Sequence, residues 1–234
     1  MPARNGFRIS NRRVINADTT DLCRDTTANN VYATCRQSPI NLSPANFVIT
    51  PPHGFLDIKY RNDIIESDKT DKNGHIHFLT NSEYITSYNG HDYKLLQYHF
   101  HITSEHQING NIYNAEVHFV HKDEQSDEYL VIAFFLDSNI DNANVFDHAI
   151  YDTDNTNTSV SIDMSKLNNV LSSDYFIYAG SLTTWPDTAD VTWAIFTQAS
   201  GTSSDNTGDN SNAGGPRAIQ TTINSAEVLC FSSS

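Results

Sequence analysis

Three histidines in two short segments have the residue type and spacing of a metal site. The segment LLQYHFHI places His99 and His101 two residues apart, and EVHFVH adds His118. Successive side chains of a β-strand point to opposite faces. One face of the first segment is therefore expected to carry Leu95, Gln97, His99 and His101. If the two segments pair as antiparallel neighbours, His118 faces the other two imidazoles. Three neutral imidazoles and an open fourth position form the ligand set of a catalytic zinc site.

Other histidines compete with these three candidates, because a His-x-His pair alone is weak evidence for a metal site. His75 and His77 form a second such pair, and further histidines lie nearby at positions 91, 106 and 121. We interpret His106 and His121 as structural residues, because each falls off the strand face that the three candidate ligands share.

Two polar residues are placed to orient the candidate ligands. Histidines that bind metals generally donate their second ring N–H to a carboxylate, amide or carbonyl. Gln97 lies two residues before His99, and Glu116 lies two residues before His118. Each could be an ordinary polar residue on a hydrated face, but two suitable partners for two ligands favour an orienting role.

The segments that carry these residues are predicted strands. Runs rich in Val, Ile, Tyr and Phe alternate with Asn, Asp and Gly, which is typical of a mainly β protein. The predicted strands are Phe55–Tyr60, His75–Leu79, Lys94–Ile102, Ala115–His121, Tyr129–Leu136, Phe176–Tyr178 and Val191–Phe196. Short helices are expected at Asn144–Ala149 and Asp163–Val170, the second with Ser161 or Asp163 as its N-cap.

The domain organisation predicted from the sequence is simple. A length of 234 residues suits one large β domain. We expect residues 1–30 to form an arm packed on the core and residues 31–234 to form the domain. Residues 201–215, GTSSDNTGDNSNAGG, are low in complexity and are expected to be a mobile loop.

Composition limits the partners and the compartment. A formal net charge of −14 argues against nucleic acid, whose binding needs clustered Lys and Arg. No apolar run reaches the roughly 18 residues of a membrane span, and no secretion signal is visible. Three cysteines, Cys23, Cys35 and Cys230, allow one bridge and one free thiol. The acidic surface favours a secreted, extracellular or virion-associated protein over a cytoplasmic one, and the oligomeric state stays open.

Several motifs in a fixed order together resemble the alpha carbonic anhydrases. They are QSPINL from Gln37, NGH ending at His75, QYHFHITSEHQINGNIYNAEVHFVH, YLVIAFFL, and GSLTTWPDTADVTW ending at Trp193. The resemblance covers roughly residues 37–193, with a weaker echo in PRAIQTTIN. It implies a single domain built on a large twisted, mostly antiparallel β-sheet, with Zn²⁺ at the bottom of a conical cleft. It also implies reversible hydration of carbon dioxide to bicarbonate and a proton.

The resemblance implies a role for each matching residue. His99, His101 and His118 would bind Zn²⁺, with Gln97 and Glu116 behind them. In the matching GSLTTW segment, Thr183 would accept a hydrogen bond from hydroxide at the metal and donate its own proton to Glu105.

The substrate positions follow from the same resemblance. Thr184 would hydrogen-bond bicarbonate, and His75 would shuttle protons, with His77 as an alternative. The apolar wall for carbon dioxide would consist of Val120, Val131, Leu182 and Trp193. The small-molecule substrate pair is thus carbon dioxide and bicarbonate.

The sequence departs from the family pattern at positions other than the candidate ligands and Thr183. Asp187 stands where secreted members often have a cysteine, so the usual disulfide cannot form. Trp185 replaces a proline, and the signature near the C-terminus has drifted to GGPRAIQ. A second hypothesis is a binding, attachment or matrix protein with weak or no catalysis, built on the same fold.

Overall fold

The computed structural model describes most of the chain downstream of the predicted arm. The described residues are 37–42, 48–50, 56–72, 75–80, 84–126, 128–140, 145–151, 159–203, 213–220 and 229–231. The predicted arm over residues 1–30 and two of the cysteines, Cys23 and Cys35, lie outside these ranges.

Strands dominate the described ranges, which agrees with the predicted mainly β class. In chain order they are β1 (Asn41–Leu42), β2 (Val48–Thr50), β3 (Leu56–Ile58), β4 (Ile64–Lys72), β5 (His75–Thr80), β6 (Ile85–Tyr88), β7 (His91–His101), β8 (Gln107–Ile108), β9 (Ala115–Lys122), β10 (Tyr129–Asp137), β11 (Ser159–Asp163), β12 (Tyr175–Gly180), β13 (Val191–Phe196), β14 (Ser200–Gly201), β15 (Ala213–Gly214) and β16 (Leu229–Phe231). All seven predicted strands are present, with ends that differ by a few residues.

The helices of the described chain are short. They are α1 (Asp147–Tyr151), a 3₁₀ helix (Met164–Leu167) and α2 (Asn168–Leu171). Asp163 caps the 3₁₀ helix, because its carboxylate accepts a hydrogen bond of 3.1 Å from the Ser165 N–H. The alternative cap, Ser161, lies within β11. Within the described ranges, no helix has the length and apolar character needed to cross a membrane.

One large mixed sheet positions the candidate site. Its main path, among the described residues, runs β11-β4-β5-β7-β9-β10-β13-β12-β16-β2. Most neighbours on this path are antiparallel, and β10 with β13 and β16 with β2 are parallel. The segments expected to carry the ligands are the adjacent antiparallel strands β7 and β9, as predicted. They lie in the interior of the sheet, where both strand edges are paired.

A β-bulge at Leu96 corrects one expectation. The register between β7 and β9 shifts between Leu95 and Gln97, so one extra residue interrupts the alternation. Leu95 consequently packs in the hydrophobic core with Tyr98, while Gln97 belongs to the opposite face. The prediction that Leu95 shares a face with the histidines was wrong, because strict alternation does not anticipate a bulge.

Strand β9 shows how the two faces of the sheet are used. Val117 and Phe119 are fully buried in the larger hydrophobic cluster on one side. Val120 belongs to a second cluster on the other side, the side that carries His118 and Glu116. Burying a side chain such as Phe119 contributes roughly 1.5–3 kcal/mol to folding. Apolar packing on one face of β9 thus holds in place the strand whose other face carries His118 and Glu116.

The low-complexity segment is more ordered at its ends than its composition predicts. Ser200–Gly201 pair with β10, and Ala213–Gly214 pair with β7. Residues 204–212 lie outside the described ranges. The expected loop over residues 201–215 is therefore too long at both ends, because backbone hydrogen bonds to neighbouring strands need no apolar side chains.

Candidate metal centre

Three imidazoles from β7 and β9 meet on one face of the sheet. His99 lies directly opposite His118 in the strand register. The ring centroids are 5.0 Å apart for His99 and His101, 5.1 Å for His99 and His118, and 4.8 Å for His101 and His118. One ring nitrogen from each residue lies within 4.8 Å of the other two. The structure therefore brings together the three histidines that the sequence singled out.

Two of the rings are oriented by the partners expected from the sequence. His99 Nδ1 lies 3.0 Å from Gln97 Oε1, and His118 Nε2 lies 2.8 Å from Glu116 Oε1. Both acceptors are oxygens, so each of these nitrogens carries the proton and donates it. The remaining nitrogens, Nε2 of His99 and Nδ1 of His118, keep their lone pairs for a ligand.

The third ring is oriented by a residue that sequence reasoning missed. His101 Nδ1 donates to the backbone carbonyl of Gly215 at 3.2 Å. His101 Nε2 is buried and has no hydrogen-bond partner among the described residues. A buried nitrogen without a partner is costly, and a metal ion would satisfy it. The donor set and this nitrogen both fit a zinc ion bound by three imidazoles.

Burial keeps the three rings in the state that a metal needs. It lowers the pKa of His99 well below the usual 6.5, and the neighbouring imidazoles lower it further. Burial lowers the pKa of His101 to about 4, although the bond to the Gly215 carbonyl opposes the shift. The pKa of His118 is also lowered by burial, against the opposing effect of Glu116. All three imidazoles are neutral at pH 7, as ligands must be.

Glu116 anchors the ring of His118 within a buried network. Its Oε2 accepts the backbone N–H groups of Glu105 at 2.9 Å and His106 at 2.8 Å. Its Oε1 accepts the ring N–H groups of His106 at 2.7 Å and His118 at 2.8 Å. Burial raises the pKa of Glu116, but the His106 and His118 rings outweigh it and hold the pKa well below its usual range. The carboxylate is therefore ionised at pH 7 and fixes the protonated nitrogen of His118.

The other competing histidines have structural partners. His106 Nε2 lies 2.6 Å from the Tyr178 hydroxyl, so both of its ring nitrogens are engaged. His121 donates from Nδ1 to the Phe119 carbonyl at 2.9 Å, and its Nε2 lies 2.7 Å from the Tyr60 hydroxyl. These contacts agree with the structural role expected for His106 and His121.

Glu105 lies beside the three-histidine cluster with one oxygen fixed. Its Oε1 accepts the backbone N–H of Arg217 at 2.7 Å. Its Oε2 lies 3.4 Å from His101 Nε2 and 3.9 Å from His118 Nδ1 and has no hydrogen-bond partner among the described residues. Burial raises the pKa of Glu105, and the nearby Thr183 hydroxyl opposes this shift. Thr183 thus lies near Glu105.

Thr183 and Thr184 lie on a closed loop between β12 and β13. The Leu182 N–H donates to the Thr188 carbonyl at 2.8 Å, and the Asp187 N–H donates to the Thr184 carbonyl at 2.8 Å. Thr184 is half-buried on this loop, directly after Thr183. The loop brings Thr183 next to Glu105.

An apolar wall adjoins the ligand rings. Val131 lies opposite Val120 on one side and opposite Trp193 on the other, so three neighbouring strands contribute one side chain each. Leu182 packs against the same cluster. The ring of Trp193 lies 4.8 Å from the ring of His118. The four residues of the expected wall are therefore contiguous and next to the candidate metal centre.

His75 and His77 both face the site from β5. The ring of His77 stacks on His99 with centroids 5.2 Å apart. His75 is exposed, and a Cβ built on Gly214 would lie 3.1 Å from His75 Nδ1 and 3.8 Å from His101 Nδ1. Glycine at this position thus leaves room for both rings. His75 has the exposure that exchange with solvent needs, whereas His77 lies closer to the ligands.

Gly215 and Arg217 extend the site beyond the predicted residues. Gly215 ends the low-complexity segment and Arg217 follows it, in GGPRA, and they reach His101 and Glu105 through backbone atoms. The only signal in the sequence was a weak echo of a family motif, because a backbone carbonyl and a backbone N–H leave no mark in residue type.

The fold and the site define a large mixed β-sheet protein with a three-histidine candidate metal centre on one face. The family model of the eukaryotic-type carbonic anhydrases matches residues 26–212. The chain belongs to this family, as the resemblance of its motifs predicted.

Similarity to individual relatives is moderate. The chain is 32% identical over 169 residues to alpha carbonic anhydrase 8 of Arabidopsis thaliana, covering 68% of this chain and 42% of that one. It is 29% identical over 170 residues to a carbonic anhydrase of Neisseria gonorrhoeae, covering 68% and 62%. It is 28% identical over 169 residues to dioscorin DB3L of Dioscorea polystachya, covering 68% and 60%. The chain thus spans less than two thirds of the length of these relatives.

Solved structures show the same fold. An alpha-carbonic anhydrase from Thermovibrio ammonificans, in complex with the inhibitor sulfanilamide, matches with a TM-score of 0.67 and 27% identity over 83% of this chain and 86% of that one. Dioscorin in complex with ascorbate matches with a TM-score of 0.69 and 22% identity over 84% and 86%. The second likeness concerns the fold alone.

Proposed function

We propose that this protein binds Zn²⁺ through His99, His101 and His118 and catalyses the reversible hydration of carbon dioxide. The observation that carries the proposal is the state of the three rings. Each is neutral at pH 7, each donates one N–H to a fixed oxygen, and each keeps its other nitrogen for a metal. Family membership and the relatives named carbonic anhydrase support the same conclusion.

The protein's own residues prepare the site for this reaction. When bound, zinc supplies a nucleophile at neutral pH by acidifying a water ligand. We assign to Glu105 the task of accepting a hydrogen bond from the Thr183 hydroxyl, which would leave the Thr183 oxygen to accept a hydrogen bond from a ligand at the metal. This direction favours ligands that carry a proton and disfavours those that do not. Thr184, the next residue of the loop, is proposed to donate to bicarbonate.

The apolar wall provides the place for carbon dioxide. Val120, Val131, Leu182 and Trp193 offer surface without strong hydrogen-bonding groups, which suits a neutral and weakly polar molecule. Such a wall holds the substrate beside the metal without competing for it.

A proton must leave the site after each hydration. Histidine is the side chain whose ordinary pKa suits this transfer near neutrality. We assign the transfer to His75, because it is exposed and lies across Gly214 from His101. His77 is the alternative.

The test measures zinc content and carbon dioxide hydration in the same preparations. The native protein is expected to hold one zinc per chain and to be active, whereas His118→Ala is expected to lose most of both. His91→Ala is a matched control, because His91 pairs with Asp123 at 3.1 Å outside the cluster, and it is expected to keep both properties. Sulfanilamide is expected to inhibit. A His118→Ala protein with full zinc and full activity would refute the ligand assignment.

The second candidate is a binding, attachment or matrix protein with weak or no catalysis on the same fold, which the match to a dioscorin, a relative not named carbonic anhydrase, favours. The same measurements separate the two. A native protein that folds and holds zinc but hydrates no carbon dioxide would favour the second candidate.

A further inference from the structure

Arg217 connects three segments that surround the candidate metal centre. Its Nη1 donates to the Ser38 carbonyl at 2.7 Å, and its Nη2 donates to Gln37 Oε1 at 3.1 Å and to Asp187 Oδ2 at 2.8 Å. Its backbone N–H donates to Glu105 Oε1 at 2.7 Å. One residue therefore binds the QSP segment, the threonine loop and the carboxylate beside the ligands.

We propose that Asp187 and Arg217 form a positioning pair that holds Thr183 in register with Glu105, and so sets which ligands the metal centre accepts. The inference rests on the proposed function, because it concerns the same centre. It goes further by assigning a task to Asp187, at a position where the family pattern predicted no ion pair.

Asp187 controls the position of Thr183 through the loop they share. The loop is closed by the Leu182 and Asp187 N–H groups, and Thr183 lies between these two points of attachment. The backbone of Asp187 has φ +57°, in the left-handed region that Asp tolerates better than most residues. Because the loop is short and closed, a displacement of Asp187 displaces Thr183.

Arg217 controls the position of Glu105, the residue that Thr183 must meet. Its backbone N–H fixes Oε1 of Glu105, and Gly215, two residues earlier, orients His101. The ion pair with Asp187 is 22% exposed on both sides, so solvent screens it less than a surface pair. The planar guanidinium donates to Asp187, Gln37 and Ser38 from two nitrogens held in a fixed fork, a geometry that the single nitrogen of a lysine does not reproduce.

The test is the ratio of two affinities in zinc-loaded protein. The sulfonamide N–H of sulfanilamide can donate a hydrogen bond to the Thr183 oxygen, whereas thiocyanate has no N–H or O–H to donate. Asp187→Asn is expected to weaken sulfanilamide binding roughly tenfold, about 1.4 kcal/mol, while thiocyanate binding stays equal or tightens. General loosening of the site would weaken both ligands and leave the ratio unchanged.

Two further variants sharpen the result. Asp92→Asn removes a second ion pair, to Lys59 at 3.0 Å, whose side chains are 46% and 62% exposed, and is expected to leave the ratio unchanged. Arg217→Lys keeps the charge and the backbone N–H to Glu105, and is expected to shift the ratio in the same direction by a smaller factor. If Asp187→Asn does not fold, the ratio measured in Arg217→Lys tests the proposal.

Hydrogen exchange provides a readout that needs no metal. In metal-free Asp187→Asn, the amides of Leu182 and Asp187 are expected to exchange about tenfold faster than in the native protein. Unchanged ligand ratios in both variants, or unchanged exchange at these two amides, would overturn the proposal. If the native protein takes up no zinc, the proposed function fails, and the exchange measurement alone decides whether the pair holds the loop.

Discussion

Replacing Glu116 by Gln is expected to change the hydrogen-bonding state of His118, a proposed metal ligand, while leaving its ring beside the other two imidazoles. The carboxylate accepts two backbone N–H groups on Oε2 and two imidazole N–H groups on Oε1. A Gln side chain of nearly the same shape offers one oxygen. If that oxygen stays with the backbone N–H groups of Glu105 and His106, the new NH₂ group faces the rings of His106 and His118.

The consequence for zinc follows from the tautomer of His118. To accept from the NH₂ group, His118 Nε2 must lose its proton, and the proton then resides on Nδ1, the nitrogen left for the metal. We therefore expect zinc affinity to fall by about 10- to 100-fold, the range for loss of an orienting partner. That range corresponds to about 1.4–2.7 kcal/mol. The free energy of unfolding of the metal-free protein is expected to fall by about 1.5–3 kcal/mol, the contribution of a hydrogen bond to a charged group.

The assay is zinc competition against a chelating dye at pH 7.5, with denaturant unfolding of the metal-free protein measured in parallel. Glu124→Gln is the control, because this carboxylate is 77% exposed and lies 3.8 Å from Lys94. It is expected to alter neither quantity. A Glu116→Gln protein that is less stable but binds zinc as tightly as the native protein would refute the tautomer reasoning.

Three further outcomes are expected. Burial lowers the pKa of His121 from 6.5 to about 4, so the unfolded chain binds more protons than the folded protein between these pH values. The free energy of unfolding therefore falls as the pH drops from 6.5 to 4, by up to ~3 kcal/mol. In His121→Asn, the free energy of unfolding measured in denaturant should depend less on pH over this range. His75→Ala should lower maximal turnover at unchanged zinc content, with recovery in imidazole buffer, and unchanged turnover in weak buffer would exclude His75 as the shuttle. Trp193→Phe should lower the unfolding free energy by about 1–3 kcal/mol, because the Ser181 carbonyl loses its 2.9 Å bond from the indole N–H; unchanged stability in denaturant would contradict this.

The ligand face could be predicted from sequence because it depends on alternation within strands that have strong apolar character. His99, His101 and His118 fall on their shared face for this reason, and so do Gln97 and Glu116. Alternation failed at Leu95, since the bulge at Leu96 depends on how β7 pairs with β9.

Strand β4 was not predicted because its sequence, IIESDKTDK, is mostly polar. It is stabilised by pairing with β11 on one side and β5 on the other. Its Ser67 Oγ also lies 2.7 Å from the Tyr98 hydroxyl and donates to the Val160 carbonyl at 2.9 Å. Gly215 and Arg217 were missed for a related reason, since they reach His101 and Glu105 through backbone atoms. Pairing across a sheet and contacts from the main chain are properties of the fold, which residue types alone do not specify.

The position of the ligands along the chain has a consequence for the order of assembly. His99 and His118 belong to neighbouring strands, whereas Gly215 and Arg217 reach His101 and Glu105 across 114 and 112 residues. Contacts between distant segments close larger loops and form later than local ones. We therefore expect the β7–β9 pair to present its three imidazoles while the C-terminal segment is still unpaired. A metal ion captured at that stage would meet ligands whose orienting carbonyl and whose neighbouring carboxylate are not yet fixed. The protein would then acquire the metal during folding, and it would discriminate among further ligands only after the C-terminal segment has paired.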